Sequence, residues 1–150
     1  MPSLQLANLI DGRLQAPLID RWLDVHEPAT GQVFAQCPDS GADDVDAAVA
    51  AASAAAPAWA ATPIDRRAAL LLRLAALIEA RLEEFAALES RDSGKPVALA
   101  RRLDIPRAVS NLRHFAAAIT HWGSESHAME NGVPGSGAIN YTLRQPLGVV

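Results

Sequence analysis

Between Ser40 and Trp122 the apolar side chains recur at helical spacing, and the interruptions fall at proline and glycine. That periodicity commits the middle of the chain to a layer of helices. The clearest start is Thr62-Pro63-Ile64-Asp65: threonine is a good N-cap, proline suits the first helical position, and the acid resembles a capping box. Leu70, Leu71, Leu74, Leu77 and Ile78 then form one apolar stripe. Leu82, Phe85 and Leu88 begin a second, which predicts a bend near Arg81 or Leu82. Ser93-Gly94-Lys95-Pro96 is a stop, with Gly94 free to turn left-handed and Pro96 able to open a short helix over 97–103. A longer helix is expected from about Asp104 to Trp122, with Ile105, Val109, Leu112, Phe115, Ala116 and Ile119 inward. Upstream, Ser40 or Gly41 caps an alanine-rich helix, and Asp43 and Asp44 sit at its positive end. Val45, Ala48, Val49 and Ala52 give it a narrow apolar face, and Pro57 is expected to end it, or nearly so.

Strands flank the helices. Asn8-Leu9-Ile10 followed by Asp11-Gly12 reads as a strand entering a hairpin turn. Residues 22–25 and 33–37 are two further short strands around the turn Glu27-Pro28-Ala29-Thr30-Gly31-Gln32. Gly132 to Gly137 reads as a loop. After it Ile139, Tyr141 and Leu143 alternate with polar residues, the period of a two-faced strand. Leu147-Gly148-Val149-Val150 reads as the opening of a buried parallel strand that continues past the last residue. The fold class is therefore α/β.

The net charge of −4 argues against nucleic acid, which wants a basic stripe, and against a polybasic membrane anchor. No apolar run approaches the roughly 20 residues of a spanning helix, and Met1 to Leu6 lacks the features of a signal peptide. The single cysteine, Cys37, fits a reducing cytoplasm and reads as a small buried hydrophobe. His26, His114, His121 and His127 do not make a metal set, since even His114 and His121 lie two helical turns apart. Gly135-Ser136-Gly137 lacks the third glycine of a dinucleotide fingerprint and precedes a strand. Lys95 reads as a helix-end cation, Arg101 and Arg102 as a solvated face, and Trp59 and Trp122 as packing anchors.

Taken in order, several segments resemble one family, the aldehyde dehydrogenases. Asn8-Leu9-Ile10-Asp11-Gly12 resembles its opening strand and turn. Glu27-Pro28-Ala29-Thr30-Gly31-Gln32-Val33 resembles its N-P-x-T-G-x-V turn, with Glu27 in place of asparagine. Asp44 to Val49 resembles its first helix, and Trp59 with Arg66 and Arg67 its W-x(n)-R segment. Glu89-Ser90-Arg91-Asp92-Ser93-Gly94-Lys95-Pro96 resembles E-S/T-x-D-x-G-K-P, the most specific piece. Tyr141 to Val149 resembles the arm strand leading to the first nucleotide-binding strand. Asp104-Ile105-Pro106-Arg107, Asn111, Phe115, Ser124-Glu125 and Asn140-Tyr141 resemble the 2-hydroxymuconate and 2-aminomuconate semialdehyde dehydrogenase subgroup.

The resemblance implies the helix-rich amino-terminal part of a nucleotide-binding domain over residues 1–136. It implies an oligomerisation-arm strand and the start of the first nucleotide-binding strand over 137–150. It implies NAD or NADP as cofactor and an aldehyde substrate, here an acidic semialdehyde from aromatic ring cleavage. A homodimer or homotetramer would be joined through the arm. In the family a cysteine thiolate attacks the aldehyde, a backbone N–H and an asparagine hold the oxyanion, and a glutamate activates water on the thioester. None of those residues has a counterpart here; the asparagine belongs to a P-W-N motif expected shortly after Val150. No catalytic and no cofactor-binding residue is carried over, and the chain alone is expected to be inactive. Some members hold a structural monovalent cation, and Val25, His26 and Asp104 occupy the corresponding positions. Asp104 reads first as a helix N-cap, which needs no ion, though one residue can serve both roles. The alternative to an enzyme segment is a non-catalytic helical module pairing through its arm.

Overall fold

A computed structural model describes residues 4–130 and 135–150. β1 (Leu4–Gln5) runs parallel to β5 (Val33–Pro38), and β4 (Trp22–His26) runs antiparallel to β5 on its other side. The order β1-β5-β4 makes β5 central, and its neighbouring residues Phe34 and Ala35, which face opposite ways, are both buried. β2 (Asn8–Ile10) and β3 (Arg13–Gln15) form the expected hairpin, with both turn residues left-handed, Asp11 at φ 51 and Gly12 at φ 71. That pair of positive φ values matches the twist of the strands it joins.

α1 (Ala42–Ala61) does not stop at Pro57 but runs through it. The Ser53 carbonyl that Pro57 cannot serve is on an exposed residue, where water can satisfy it, and the flanking alanines strongly favour helix. Thr62 is not the N-cap of the next helix. Its hydroxyl donates back to the Ala58 carbonyl (2.9 Å) and its N–H to that of Trp59 (3.1 Å), so it closes α1. α2 (Ile64–Ala80) starts after Pro63. Asp44 is the buried residue of α1; the expected face of Val45 and Val49 stays about half exposed.

α2 packs along α5 (Ile105–His121), with Ala68 and Ala75 buried on one helix and Val109 and Ala116 on the other. Small residues let the two axes approach closely. Arg113 clamps them through two bonds to Glu79, of 3.0 and 2.6 Å. The leucine stripe of α2 divides: Leu71 and Ile78 are half-buried beside Ala75, while Leu70, Leu74 and Leu77 face outward. Phe115 is not inward either; it is 59% exposed and packs edge-on to His114.

The chain bends at Arg81 (φ −113, ψ 26), as the change of stripe predicts, and continues as α3 (Leu82–Ser93). Ala86, Ala100 and Ile105 form a small core with Ile78, Leu82 and Phe85 around it. Gly94 ends α3 at φ 75. α4 (Val97–Leu99) then passes through a π-helical turn (Ala100–Asp104) into α5 without a break. A single wide turn thus joins what were expected as two separate helices, one over 97–103 and one from about Asp104.

Past α5, β6 (Ser126–Glu130) pairs antiparallel with β7 (Gly137–Tyr141). The loop expected over Gly132 to Gly137 lies partly outside the described residues. β6 was not anticipated: Ser126 to Glu130 lacks a clear alternation, and the strand forms because β7 lies beside it. Leu147 to Val150 makes no strand, and a strand needs a neighbour to bond. Among the described residues no single helix is long and apolar enough to cross a membrane.

Candidate functional site

The two most distinctive segments meet in space. The Glu27–Gln32 turn is closed by the Glu27 N–H donating to Gln32 O (2.9 Å) and the Gly31 N–H to Glu27 O (2.7 Å). Against it lies the end of α3. A Cβ on Gly94 would stand 2.9 Å from Pro28 Cβ, so glycine is required there for space as well as for its positive φ. Arg91 of α3 reaches back: its guanidinium lies 4.5 Å over the Phe34 ring, and its Nε is 3.6 Å from Glu27 Oε2.

Below this contact Lys95 sits between two acids. Its Nζ is 2.9 Å from Asp104 Oδ2 and 3.0 Å from Glu89 Oε1. Asp104 foremost, and then Glu89, hold the ammonium above the ordinary lysine range. Ser90 Oγ donates to the Lys95 carbonyl (2.6 Å) and fixes the backbone that carries it. Reading Lys95 as a helix-end cation missed both partners, because Asp104 lies nine residues on and only the π-helical turn brings it back.

Val25, His26 and Asp104 are placed apart in their bonding. Val25 pairs with Ala35 in the ladder, just before a register shift at His26. His26 Nδ1 lies 3.5 Å from the Gly31 carbonyl. Among the described residues no hydrogen bond or ion pair joins Val25 or His26 to Asp104. Asp104 precedes α5 but caps nothing. It is itself helical (φ −67, ψ −51), and the π-helical turn before it leaves no free amide end. Lys95 Nζ pairs with one oxygen of that carboxylate, Oδ2.

Away from this seam the side chains singled out in the sequence have varied surroundings. Among the described residues no three His, Cys, Asp or Glu side chains come together as a metal set. Cys37 is half-buried on β5, opposite Leu23. Gly135, at φ 83, leads into β7 and not into a helix, so the glycine loop does not fit a nucleotide pyrophosphate. Arg101 is not merely solvated; it bonds Glu83 at 2.6 Å. Trp59 and Trp122 do not anchor packing within the chain, being 50% and 65% exposed. Trp122 instead carries Arg144, 4.8 Å over its ring, which draws the segment after β7 back to the end of α5. Asp44 has a role that reading it as a dipole partner missed. Its buried carboxylate accepts the Leu18 and Gly41 N–H groups, both at 3.0 Å, and ties the strand region to α1.

The sequence profile of the aldehyde dehydrogenase family matches residues 17–150. The chain belongs to the aldehyde dehydrogenase family. It is 43% identical over 146 residues to the 2-aminomuconic semialdehyde dehydrogenase of Bos taurus, covering 97% of this chain and 29% of that protein. To the 2-hydroxymuconic semialdehyde dehydrogenase of Pseudomonas sp. (strain CF600) it is 40% identical, covering 97% and 30%. Its fold matches a putative aldehyde dehydrogenase from Burkholderia cenocepacia with a TM-score of 0.80 at 39% identity, over 85% of this chain and 26% of that one. The crystal structure of PnpE in complex with nicotinamide adenine dinucleotide matches with a TM-score of 0.80 at 37% identity, over the same shares. This aldehyde dehydrogenase chain therefore spans under a third of the length of the curated relatives it matches.

Proposed function

We propose that the chain serves as the amino-terminal layer of an NAD(P)-dependent aldehyde dehydrogenase that oxidises a muconate-type semialdehyde to the carboxylic acid through a cysteine thioester. The observation that carries this reading is the 43% identity to a 2-aminomuconic semialdehyde dehydrogenase across 97% of the chain. The nucleophile, oxyanion donors and cofactor cradle are assigned to residues outside these 150. The chain's own share is architectural. The α2–α5 pair and the Lys95 seam hold a rigid helical layer. The β6–β7 hairpin offers open strand edges to a second copy, in a homodimer or homotetramer. The single Cys37 suits a reducing cytoplasm.

A chimera tests the assignment. This chain replaces the matching segment of the bovine 2-aminomuconic semialdehyde dehydrogenase, and NADH or NADPH formation is followed with 2-hydroxymuconic semialdehyde. Turnover by the chimera, and none by the 150-residue chain alone, is expected. A folded, assembled chimera without turnover would sink the proposal, as would cysteine-dependent turnover by the isolated chain. The exposed hairpin also favours a second reading, an interaction module without catalysis, and the inactive but assembled chimera is the outcome that reading predicts.

A further inference from the structure

We propose that the seam between the Glu27–Gln32 turn and the end of α3 is fastened by two cations of the chain itself, Arg91 and Lys95, so that Asp104 takes no monovalent ion. In some members of the family the acid corresponding to Asp104 supplies oxygen to a bound ion. A hard cation needs an oxygen shell of complementary charge. Asp104 Oδ2 already accepts the Lys95 ammonium at 2.9 Å, and Glu89 Oε1 takes the same ammonium at 3.0 Å. An ion placed on that carboxylate would stand beside a fixed positive charge and be repelled by it.

The other side of the seam follows the same logic. Where the family turn has a neutral asparagine this chain has Glu27, which adds a negative charge. Arg91 answers it from α3 at 3.6 Å while its guanidinium lies on Phe34 of β5. Arg91 thereby ties the sheet and turn to α3. Lys95, one turn further along the chain, ties α3 to the start of α5 through Glu89 and Asp104. With Gly94 packed on Pro28 between them, the joint is closed by its own side chains.

Thermal unfolding of the 150-residue chain in NaCl, KCl and choline chloride at matched ionic strength tests this directly. The three curves should coincide. Lys95→Met should lower the midpoint by roughly 2–4 °C, and adding Asp104→Asn to that variant should recover part of the loss. A rise specific to sodium or potassium that Asp104→Asn abolishes would overturn the proposal. So would Lys95→Met melting like the wild type. If Lys95→Met does not fold, the salt comparison of wild type with Asp104→Asn decides alone.

Discussion

Gly94 shows how much one residue can be asked to do. Its φ of 75 belongs to the left-handed region, and Pro28 leaves no room for a methyl group. A Gly94→Ala substitution therefore meets a conformational penalty of about 1–2 kcal/mol, before any steric term. Its urea midpoint should fall by at least that equivalent, and an unchanged midpoint would contradict both the turn and the contact. This residue's conformation was legible from Ser93-Gly94-Lys95-Pro96, because a helix stop is written locally. Its contact with Pro28 was not, since nothing in either segment announces the other. Lys95 is the same case. A lysine after a helix stop looks like a dipole partner; the backbone path through the π-helical turn brings Asp104 to it, beside Glu89 of α3.

Among the elements, the α2–α5 pair is held by alanine-lined packing inside and the Glu79–Arg113 bridge at its edge. Hydrogen bonding to Arg113 first, and its charge second, hold the Glu79 carboxyl below its ordinary 4.5. A depressed folded pKa contributes stability above the unfolded value and loses it as pH falls through the folded one. The melting advantage of the wild type over Glu79→Gln should therefore be full at pH 7 and shrink as the pH drops below about 4.5. An advantage that is constant down to pH 3 would show that the bridge does not stabilise the fold. The elements themselves were mostly readable. Hairpin, sheet turn and helix bend each rest on a local signal, Asp11-Gly12, the proline and glycine of the turn, and the change of stripe at Arg81. Periodicity marks which side of a helix is apolar but not what covers it. That is why Phe115, Trp59 and three of the five residues of the α2 stripe, expected inside, lie open. Pro57 misled because its ring is tolerated where the freed carbonyl reaches water.

At the scale of the molecule, much apolar surface faces outward. Leu70, Leu74 and Leu77 on α2, Val45 and Val49 on α1, and Ile139, Tyr141 and Leu143 around β7 are all exposed. Monomeric proteins seldom present contiguous apolar patches beyond a few hundred Å², and larger ones mark association. The fully covered side chains are mainly alanines, which bury little area each. In sedimentation velocity the chain should therefore run heavier than its 15.8 kDa monomer. The double substitution Ile139→Lys, Tyr141→Lys should lighten it if the hairpin mediates the contact. A monomer at every concentration would count against the arm as an assembly surface.

The π-helical turn at Ala100–Asp104 holds one residue more than an α-helix of the same rise would. Chain length is therefore negotiable at this spot and almost nowhere else in the helical layer. Losing a solvent-facing member such as Arg102 would let the turn relax to ordinary winding, with α4 and α5 still in place. A deletion inside α2 or α5 would instead rotate every downstream side chain off its partner, so variation in gap length across descendants should collect between 100 and 104.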